Sequence, residues 1–209
     1  RDKASSNICT AQALLAIMAS FYAVYHGPEG IKNIASRIHA LANLLDQALQ
    51  SLGYNQLNNA YFDTLRVDLG GHAGALKSEA LNNELNFYYN GSQVSIAIDE
   101  TTTYEDIKTI VKVFAKIQGK TLNDVDFDTL EENLSSSIPS ELVRTSAYLT
   151  HSNFNSYHSE HEMLRYIKSL EAKDLSLCHS MIPLGSCTMK LNATAEMTPV
   201  TWARFGGLH

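Results

Sequence analysis

Residues 183–192 combine, in one short segment, the residue types that most often do chemistry in a loop. They read Pro-Leu-Gly-Ser-Cys-Thr-Met-Lys-Leu-Asn and show neither a helical nor a strand period. Proline and glycine shape the backbone, while hydroxyl, thiol, amine and amide groups follow one another closely. Such a loop can bring several hydrogen-bond donors to an anionic ligand. Cys187 becomes a nucleophile only where a base or a positive field favours its thiolate.

An acidic segment further upstream is similar to a calcium-binding loop. Asp124, Asp126 and Asp128 alternate as Ca²⁺ ligands do. However, Thr129 stands where an EF-hand needs glycine, and Ser135 stands where it needs the bidentate glutamate. A solvated acidic loop is therefore the expectation.

A group of histidines and glutamates follows: His151, His158, Glu160, His161 and Glu162. Neutral imidazole is a good zinc ligand, and two of the histidines are three residues apart, so they can share a helical face. The spacing is not that of an HExxH motif, and no thiol is close in sequence. We therefore expect hydrogen-bonding residues at a helix start or an interface, and no metal site.

The glycine-rich residues 70–74 could bind phosphate at a helix N-terminus, where free N–H groups favour anions. They match neither the GxGxxG pattern nor the Walker pattern. The expectation is a strand-to-helix turn that needs a flexible backbone.

The elements that must position these segments alternate between helical and strand patterns. Helices are predicted over residues 9–26, 29–53 and 73–86 and after Thr102 or Thr103; strands are predicted over residues 59–69 and 93–99. Gly27 and Pro28 end the first helix. In the first strand Phe62, Leu65 (or Thr64), Val67 and Leu69 would face a core. This order predicts a compact α/β or α+β domain.

The second predicted helix carries an apolar stripe that should face the core. The stripe consists of Ile31, Ile34, Ile38, Leu41, Leu45, Leu49 and Leu52. Lys32, Asn33, Arg37 and Asn43 lie off the stripe.

Three regions follow from these patterns. Residues 1–120 form the predicted small α/β domain, and residues 121–140 form an acidic, Ser- and Pro-containing connector. Residues 141–209 are predicted to be helical or irregular, with a helix over residues 159–173.

Composition excludes several classes of protein. No apolar run approaches the ~20 residues that a membrane-spanning helix needs. A net charge of −6 argues against a general nucleic-acid binder. Three cysteines, none in a CxxC pair, favour a reducing compartment. The first residue is Arg1, and we expect the chain to be a piece of a longer protein.

The motifs together resemble one enzyme family. Residues 183–192 closely resemble the signature of the glycine dehydrogenase (decarboxylating) family, the P-proteins of the glycine cleavage system. The opening Arg-Asp-Lys-Ala-Ser-Ser-Asn-Ile-Cys-Thr and residues 25–30, 62–65 and 157–160 also fit that family, in one order along the chain. Where relatives typically have threonine after Tyr-His-Ser-Glu, this chain has His161, which weakens the metal hypothesis further.

The resemblance implies a fold-type-I pyridoxal-phosphate enzyme, an oxidoreductase built from two homologous halves. This chain would hold the small domain that closes the N-terminal half, a connector and the start of the catalytic C-terminal half. The family reaction releases CO₂ from glycine and passes the aminomethyl group to the lipoyl arm of the H-protein. The cofactor's role in that chemistry is to act as an electron sink.

The resemblance also indicates what this chain lacks. The cofactor-binding lysine of the family lies in an Asn-Leu-His-Lys type motif, which is absent here, and Lys190 is in a different motif. We therefore expect no catalytic residue in this chain, no bound cofactor and no activity of the chain alone. The resemblance places the loop near the cofactor pocket, with Ser186 and Thr188 as donors to a carboxylate or phosphate. Asn192 or Lys190 would support them, and Cys187 is a weaker candidate.

The resemblance implies several partners for the complete protein: another half or subunit of the same enzyme, the lipoylated H-protein and glycine. No nucleic acid and no membrane is expected. The complete enzyme would be a homodimer or a heterotetramer in the bacterial cytoplasm or the mitochondrial matrix. The alternative is a non-catalytic structural module, whose helices 9–26 and 31–52 mediate the packing of halves or subunits.

Overall fold

A computed structural model describes residues 12–173 and 193–207. Residues 28–148 form one compact unit, called here the middle unit. Among the described residues, 12–27, 149–173 and 193–207 form the other, called the outer unit. The predicted division into domains at residues 121–140 remains a prediction about the longer protein.

The first helix, α1, runs over Gln12–Ser51 and is broken at Gly27. Gly27 has a φ of 63° and a ψ of −177°, and Pro28 follows it. The predicted end of one helix and start of the next at this pair of residues is therefore confirmed. Residues 12–27 of α1 belong to the outer unit, and residues 28–51 belong to the middle unit.

The middle unit contains an antiparallel sheet. Its strands are β1 (Asn55–Gln56), β2 (Thr64–Asp68), β3 (Tyr88–Asn90) and β4 (Gln93–Ala97), in the order β1-β2-β4-β3. In the central pair, Leu65 lies opposite Ile96, and Val67 lies opposite Val94. All four side chains are buried. The two central strands were predicted, with longer bounds, whereas the short β1 and β3 were not.

Further helices of the middle unit are α2 (Ala73–Asn82), α3 (Tyr104–Ile117) and α4 (Phe127–Glu132). A 3₁₀ turn over Gly70–His72 leads directly into α2, as expected for a strand-to-helix turn. Helix α2 ends four residues earlier than predicted, and Glu84 just beyond it has a φ of 59°, which is left-handed. Helix α3 begins with a capping box between Thr103 and Asp106, as its sequence indicates.

The hydrophobic core lies within the middle unit. Helix α1 contributes Ile38, Leu45, Leu49 and Leu52 from the predicted stripe. Asn43, which lies off the stripe, is nevertheless buried, at 4% exposure, and its Oδ1 accepts a hydrogen bond from the Tyr61 hydroxyl. One side-chain prediction is wrong. Phe62 is 42% exposed because β2 begins only at Thr64.

The described part of the outer unit contains residues 12–27 of α1 and the helices α5 (Glu160–Glu171), α6 (Thr194–Met197) and α7 (Ala203–Gly206). Ser159 caps α5, whose predicted bounds were one or two residues longer at each end. Among the described residues of this unit, Val24 is the one buried hydrophobic side chain. No helix in residues 12–173 or 193–207 is both long and apolar enough to cross a membrane.

Helices combined with an antiparallel sheet confirm the predicted mixed α/β class, in its α+β form.

Candidate functional site

The candidate loop at residues 183–192 lies outside the described residues. Its five candidate residues, Ser186, Cys187, Thr188, Lys190 and Asn192, therefore stay predictions. The described residues do bring together other segments that carry the family resemblance.

Two such segments meet in the outer unit. Nδ1 of His158 lies 2.7 Å from the carbonyl oxygen of Tyr25, so the ring donates a hydrogen bond to it. Tyr25 is close to the break in α1 at Gly27. A break interrupts the regular bonding of helical N–H and carbonyl groups, and carbonyls beside it need other donors. His158 supplies one of these donors from 133 residues away in sequence.

Gly27 is the point of closest approach between these segments. A Cβ atom at Gly27 would lie 2.7 Å from the carbonyl oxygen of Phe154 and 2.8 Å from Cε1 of His158. Neither distance is compatible with van der Waals contact. The position therefore requires glycine for space as well as for its backbone conformation.

Aromatic rings reinforce the same part of the outer unit. Tyr157 stacks on Tyr166 with centroids 4.2 Å apart. Phe21 meets Tyr166 edge-on, with centroids 6.2 Å apart. Nδ2 of Asn153 donates to the Tyr166 hydroxyl at 3.2 Å. These contacts attach α5 to the first part of α1.

The middle unit holds a buried polar cluster that the sequence did not reveal. His39, Asn43 and Asp46 are all buried and lie on one face of α1, at spacings of four and three residues. The Tyr61 hydroxyl lies 2.7 Å from Oδ1 of Asn43 and 2.8 Å from Oδ2 of Asp46. Burial and then the neighbouring Asp46 carboxylate raise the pKa of Tyr61 above its ordinary value. Tyr61 therefore stays neutral and donates its proton within the cluster.

His39 connects this cluster to Ser136 and Ser137, in the segment that follows α4. Its Nε2 accepts the backbone N–H of Ser137 at 3.3 Å, and it lies 3.1 Å from Oγ of Ser136. Because Nε2 accepts, the proton sits on Nδ1, which lies 2.8 Å from the carbonyl oxygen of Phe62. The signal that could have found the cluster is three polar residues recurring along an apolar helix face.

A groove of about 1230 Å³ lies beside the cluster. Residues of α1 between Pro28 and Asn43 line one side, and residues between Leu134 and Tyr148 line the other. The second segment is held at its end by Tyr148, whose hydroxyl donates to the carbonyl oxygen of Pro28 at 2.6 Å.

The lining of this groove does not fit pyridoxal phosphate. Lys32 is exposed at the rim, whereas an amine that binds the cofactor covalently needs a desolvated site. Arg144 lies over the Tyr148 ring, with its guanidinium carbon 5.5 Å from the centroid. His39 has hydrogen-bond partners at both ring nitrogens, and Phe62 stacks on its face at 5.8 Å. No cofactor chemistry is therefore assigned to the groove.

The acidic segment forms helix caps. Backbone and side-chain bonds from Thr121 lower the pKa of Asp124. Asp126 caps α4, and bonds from Thr129 lower its pKa. These carboxylates are exposed, as expected for a solvated acidic segment, but the segment forms a 3₁₀ turn over Leu122–Asp124 and the helix α4 instead of an irregular loop.

Two of the candidate histidines of the outer unit, His151 and His158, have structural partners. Nδ1 of His151 accepts the backbone N–H of Asn153, and His158 bonds to Tyr25. Within residues 12–173 and 193–207, no three His, Cys, Asp or Glu side chains are grouped so that they could hold a metal ion.

Comparison with known proteins gives the family. Residues 1–114 match the family model of the glycine cleavage system P-protein. The chain is 53% identical over 213 residues to the glycine dehydrogenase (decarboxylating) of Paraburkholderia xenovorans strain LB400. That match covers the whole of this chain and 22% of the relative, so the chain spans about a fifth of the relative's length. The chain belongs to the glycine cleavage system P-protein family.

Proposed function

We propose that this chain is part of a pyridoxal-phosphate-dependent glycine dehydrogenase (decarboxylating). The complete enzyme releases CO₂ from glycine and transfers the aminomethyl group to the lipoyl arm of the H-protein. The observation that carries this proposal is the 53% identity, over the whole of this chain, to a relative of that name.

The contribution of this chain is a structural frame and one loop. The middle unit has its own core, which suits a scaffold. Residues 183–192 supply the polar groups near the cofactor and substrate, with Ser186 and Thr188 as hydrogen-bond donors and Lys190 and Asn192 as their supports. The catalytic lysine comes from another part of the complete protein, because its motif is absent from this sequence. The chain alone is expected to be inactive and to bind no pyridoxal phosphate.

Glycine–bicarbonate exchange tests the proposal. The complete protein, supplied with pyridoxal phosphate and lipoylated H-protein, should exchange labelled bicarbonate into glycine, and borohydride should trap the cofactor on a lysine outside this chain. The 209-residue chain should do neither. A complete protein without exchange activity contradicts the assignment, and an active 209-residue chain contradicts the role given to the missing lysine.

Substitutions in the loop test its residues separately. In the complete protein, Ser186→Ala and Thr188→Val should each lower exchange by about tenfold or more, because one charge-assisted hydrogen bond contributes about 1.5–3 kcal/mol. Cys187→Ser is the matched control and should retain most of the activity. Equal losses at all three positions would indicate a general disturbance of the loop.

The alternative is a structural module that mediates the packing of halves or subunits, in a homodimer or a heterotetramer. The exposed apolar side chains of the outer unit favour it. Both functions are compatible within one enzyme, located in the bacterial cytoplasm or the mitochondrial matrix. Light scattering tests the structural alternative: a 209-residue chain that remains a monomer over a wide concentration range argues against self-association.

A further inference from the structure

One side of the outer unit's part of α1 is apolar and is exposed among the residues that the structure describes. It consists of Leu14, Leu15, Ile17, Met18 and Tyr22, called here the α1 face. These side chains are between 41% and 68% exposed. They recur at spacings of three and four residues, so they lie along one side of the helix.

A second apolar surface lies at the last described residues. It consists of Met197, Val200, Trp202 and Phe205, which are between 47% and 63% exposed. The rings of Trp202 and Phe205 lie 6.0 Å apart but leave each other largely open to water.

The middle unit has a hydrophobic core of its own. Every member of the hydrophobic core lies between Ile38 and Phe127. The outer unit, in contrast, buries Val24 alone among its described hydrophobic side chains. Several large apolar side chains exposed along one side of a helix indicate a place where other protein packs.

The composition of the helix indicates which kind of partner covers it. Residues 12–26 contain no Asp, Glu, Lys or Arg. A helix without charge on any side is typical of the interior of a large protein, whereas a helix at a reversible interface keeps a polar face for water. Small residues on the other sides allow close approach by neighbouring backbones; they are Ala13, Ala16, Ala19, Ser20 and Ala23.

A complete protein of the family contains a long polypeptide beyond the part that matches this chain, and that polypeptide could cover the helix. The chain covers 22% of the P. xenovorans relative, so most of that protein lies outside the matched part. The middle unit also leaves some large apolar side chains exposed, namely Phe62, Leu81, Tyr88, Leu142 and Val143. They accompany a completed core, whereas the exposed side chains of the α1 face lie on one helix in a unit that buries only Val24 among its described hydrophobic side chains.

We propose that residues 12–26 form an interior helix of the complete protein, and that the α1 face is covered by polypeptide of the same molecule outside these 209 residues. The inference rests on family membership and on the exposed side chains, and it does not depend on the proposed activity.

The same substitution in two contexts tests it. Met18→Glu in the complete protein places a charge in an apolar contact, and it should remove most of the folded protein or lower Tm by at least ~5 °C. In the 209-residue chain the same charge faces water, so folding of the middle unit should be unchanged and aggregation reduced. Ser78→Glu, an exposed position on α2, introduces the same charge and should be tolerated in both.

Hydrogen exchange of residues 13–25 gives a second readout without any substitution. Their amides should exchange at least tenfold more slowly in the complete protein than in the 209-residue chain. The proposal is overturned if Met18→Glu leaves the complete protein unchanged and these amides exchange equally fast in both. It is also overturned if the 209-residue chain forms a dimer that Met18→Glu dissociates while the complete protein tolerates the change, because a second copy is then the partner. If the unmodified complete protein shows no glycine–bicarbonate exchange, the proposed function is refuted and this inference still stands.

Discussion

Replacing Gly27 with alanine should selectively destabilise the outer unit. The added Cβ would lie 2.7 Å from the Phe154 carbonyl oxygen and 2.8 Å from Cε1 of His158. The backbone at Gly27, with φ 63° and ψ −177°, is also in a region that is essentially restricted to glycine.

The magnitude follows from these two terms. A side chain in that backbone region costs about 1–3 kcal/mol. Forcing a methyl group into a filled site costs about 1–3 kcal/mol more, because the Phe154 carbonyl and the His158 ring must move. The total is roughly 2–6 kcal/mol. Since 1.4 kcal/mol is about a factor of ten, local opening of the outer unit should increase by at least about thirtyfold.

Hydrogen exchange with mass spectrometry measures this opening. Peptides from α5 should exchange faster in the Gly27→Ala variant, since His158 and the aromatic contacts attach that helix beside Gly27. The urea midpoint of the middle unit, followed by circular dichroism, should remain unchanged. Gly119→Ala is the matched control, with a φ of 68° and open space around the added Cβ. Gly119→Ala should lower the free energy of unfolding by only about 1–2 kcal/mol, and this loss should be confined to the middle unit.

A companion variant isolates the steric term. In a His158→Ala background, one of the two close contacts at Gly27 disappears, so Gly27→Ala should cost less than in the unmodified chain. Unchanged hydrogen exchange of α5 in Gly27→Ala would refute the packing argument. If Gly27→Ala destabilises the outer unit equally with and without His158→Ala, the His158 ring does not contribute to the steric cost.

Three other predictions concern the middle unit. Folding holds the pKa of Tyr61 above the unfolded value of 10.0, so ionisation favours the unfolded state, and stability should be complete below about pH 10 and fall above it. Tyr61→Phe should flatten that fall, as seen by urea unfolding at increasing pH. Thr103→Ala removes the cap of α3 and should lower the free energy of unfolding by about 1 kcal/mol, as measured by urea unfolding. The control Thr103→Ser keeps a capping hydroxyl and should lower it little. Leu45→Ala opens the core and should cost about 2–5 kcal/mol, while Leu81→Ala, at an exposed position, should change stability by less than about 0.5 kcal/mol.

The elements that the sequence predicted well are those with local signals. The capping box of α3 and its regularly spaced apolar residues, Ile107, Ile110, Val111 and Phe114, are contained in residues 103–117. The break in α1 is a property of Gly27 and Pro28. The alternating apolar residues of β2 and β4 identified both central strands. Their bounds were less accurate, because pairing with a neighbouring strand decides where a strand ends.

The features that the sequence did not reveal depend on distant partners. The short strands β1 and β3 exist because they pair with β2 and β4. Asn43 is buried because the Tyr61 hydroxyl, 18 residues away, bonds to it. The approach of His158 to Gly27 joins segments that no periodicity relates. The loop at residues 183–192 was found through its composition and its family resemblance, and its geometry remains a prediction.

The contact between Tyr148 and Pro28 has a consequence for how this architecture can be rearranged. The hydroxyl of the last residue of the middle unit touches the carbonyl of its first residue, at 2.6 Å. A segment whose two ends meet can be inserted into a host protein at a single point, because the host chain leaves and re-enters at nearly the same place. The middle unit therefore has the form of a cassette, which evolution or an engineer can enlarge, exchange or delete without separating the two flanking segments.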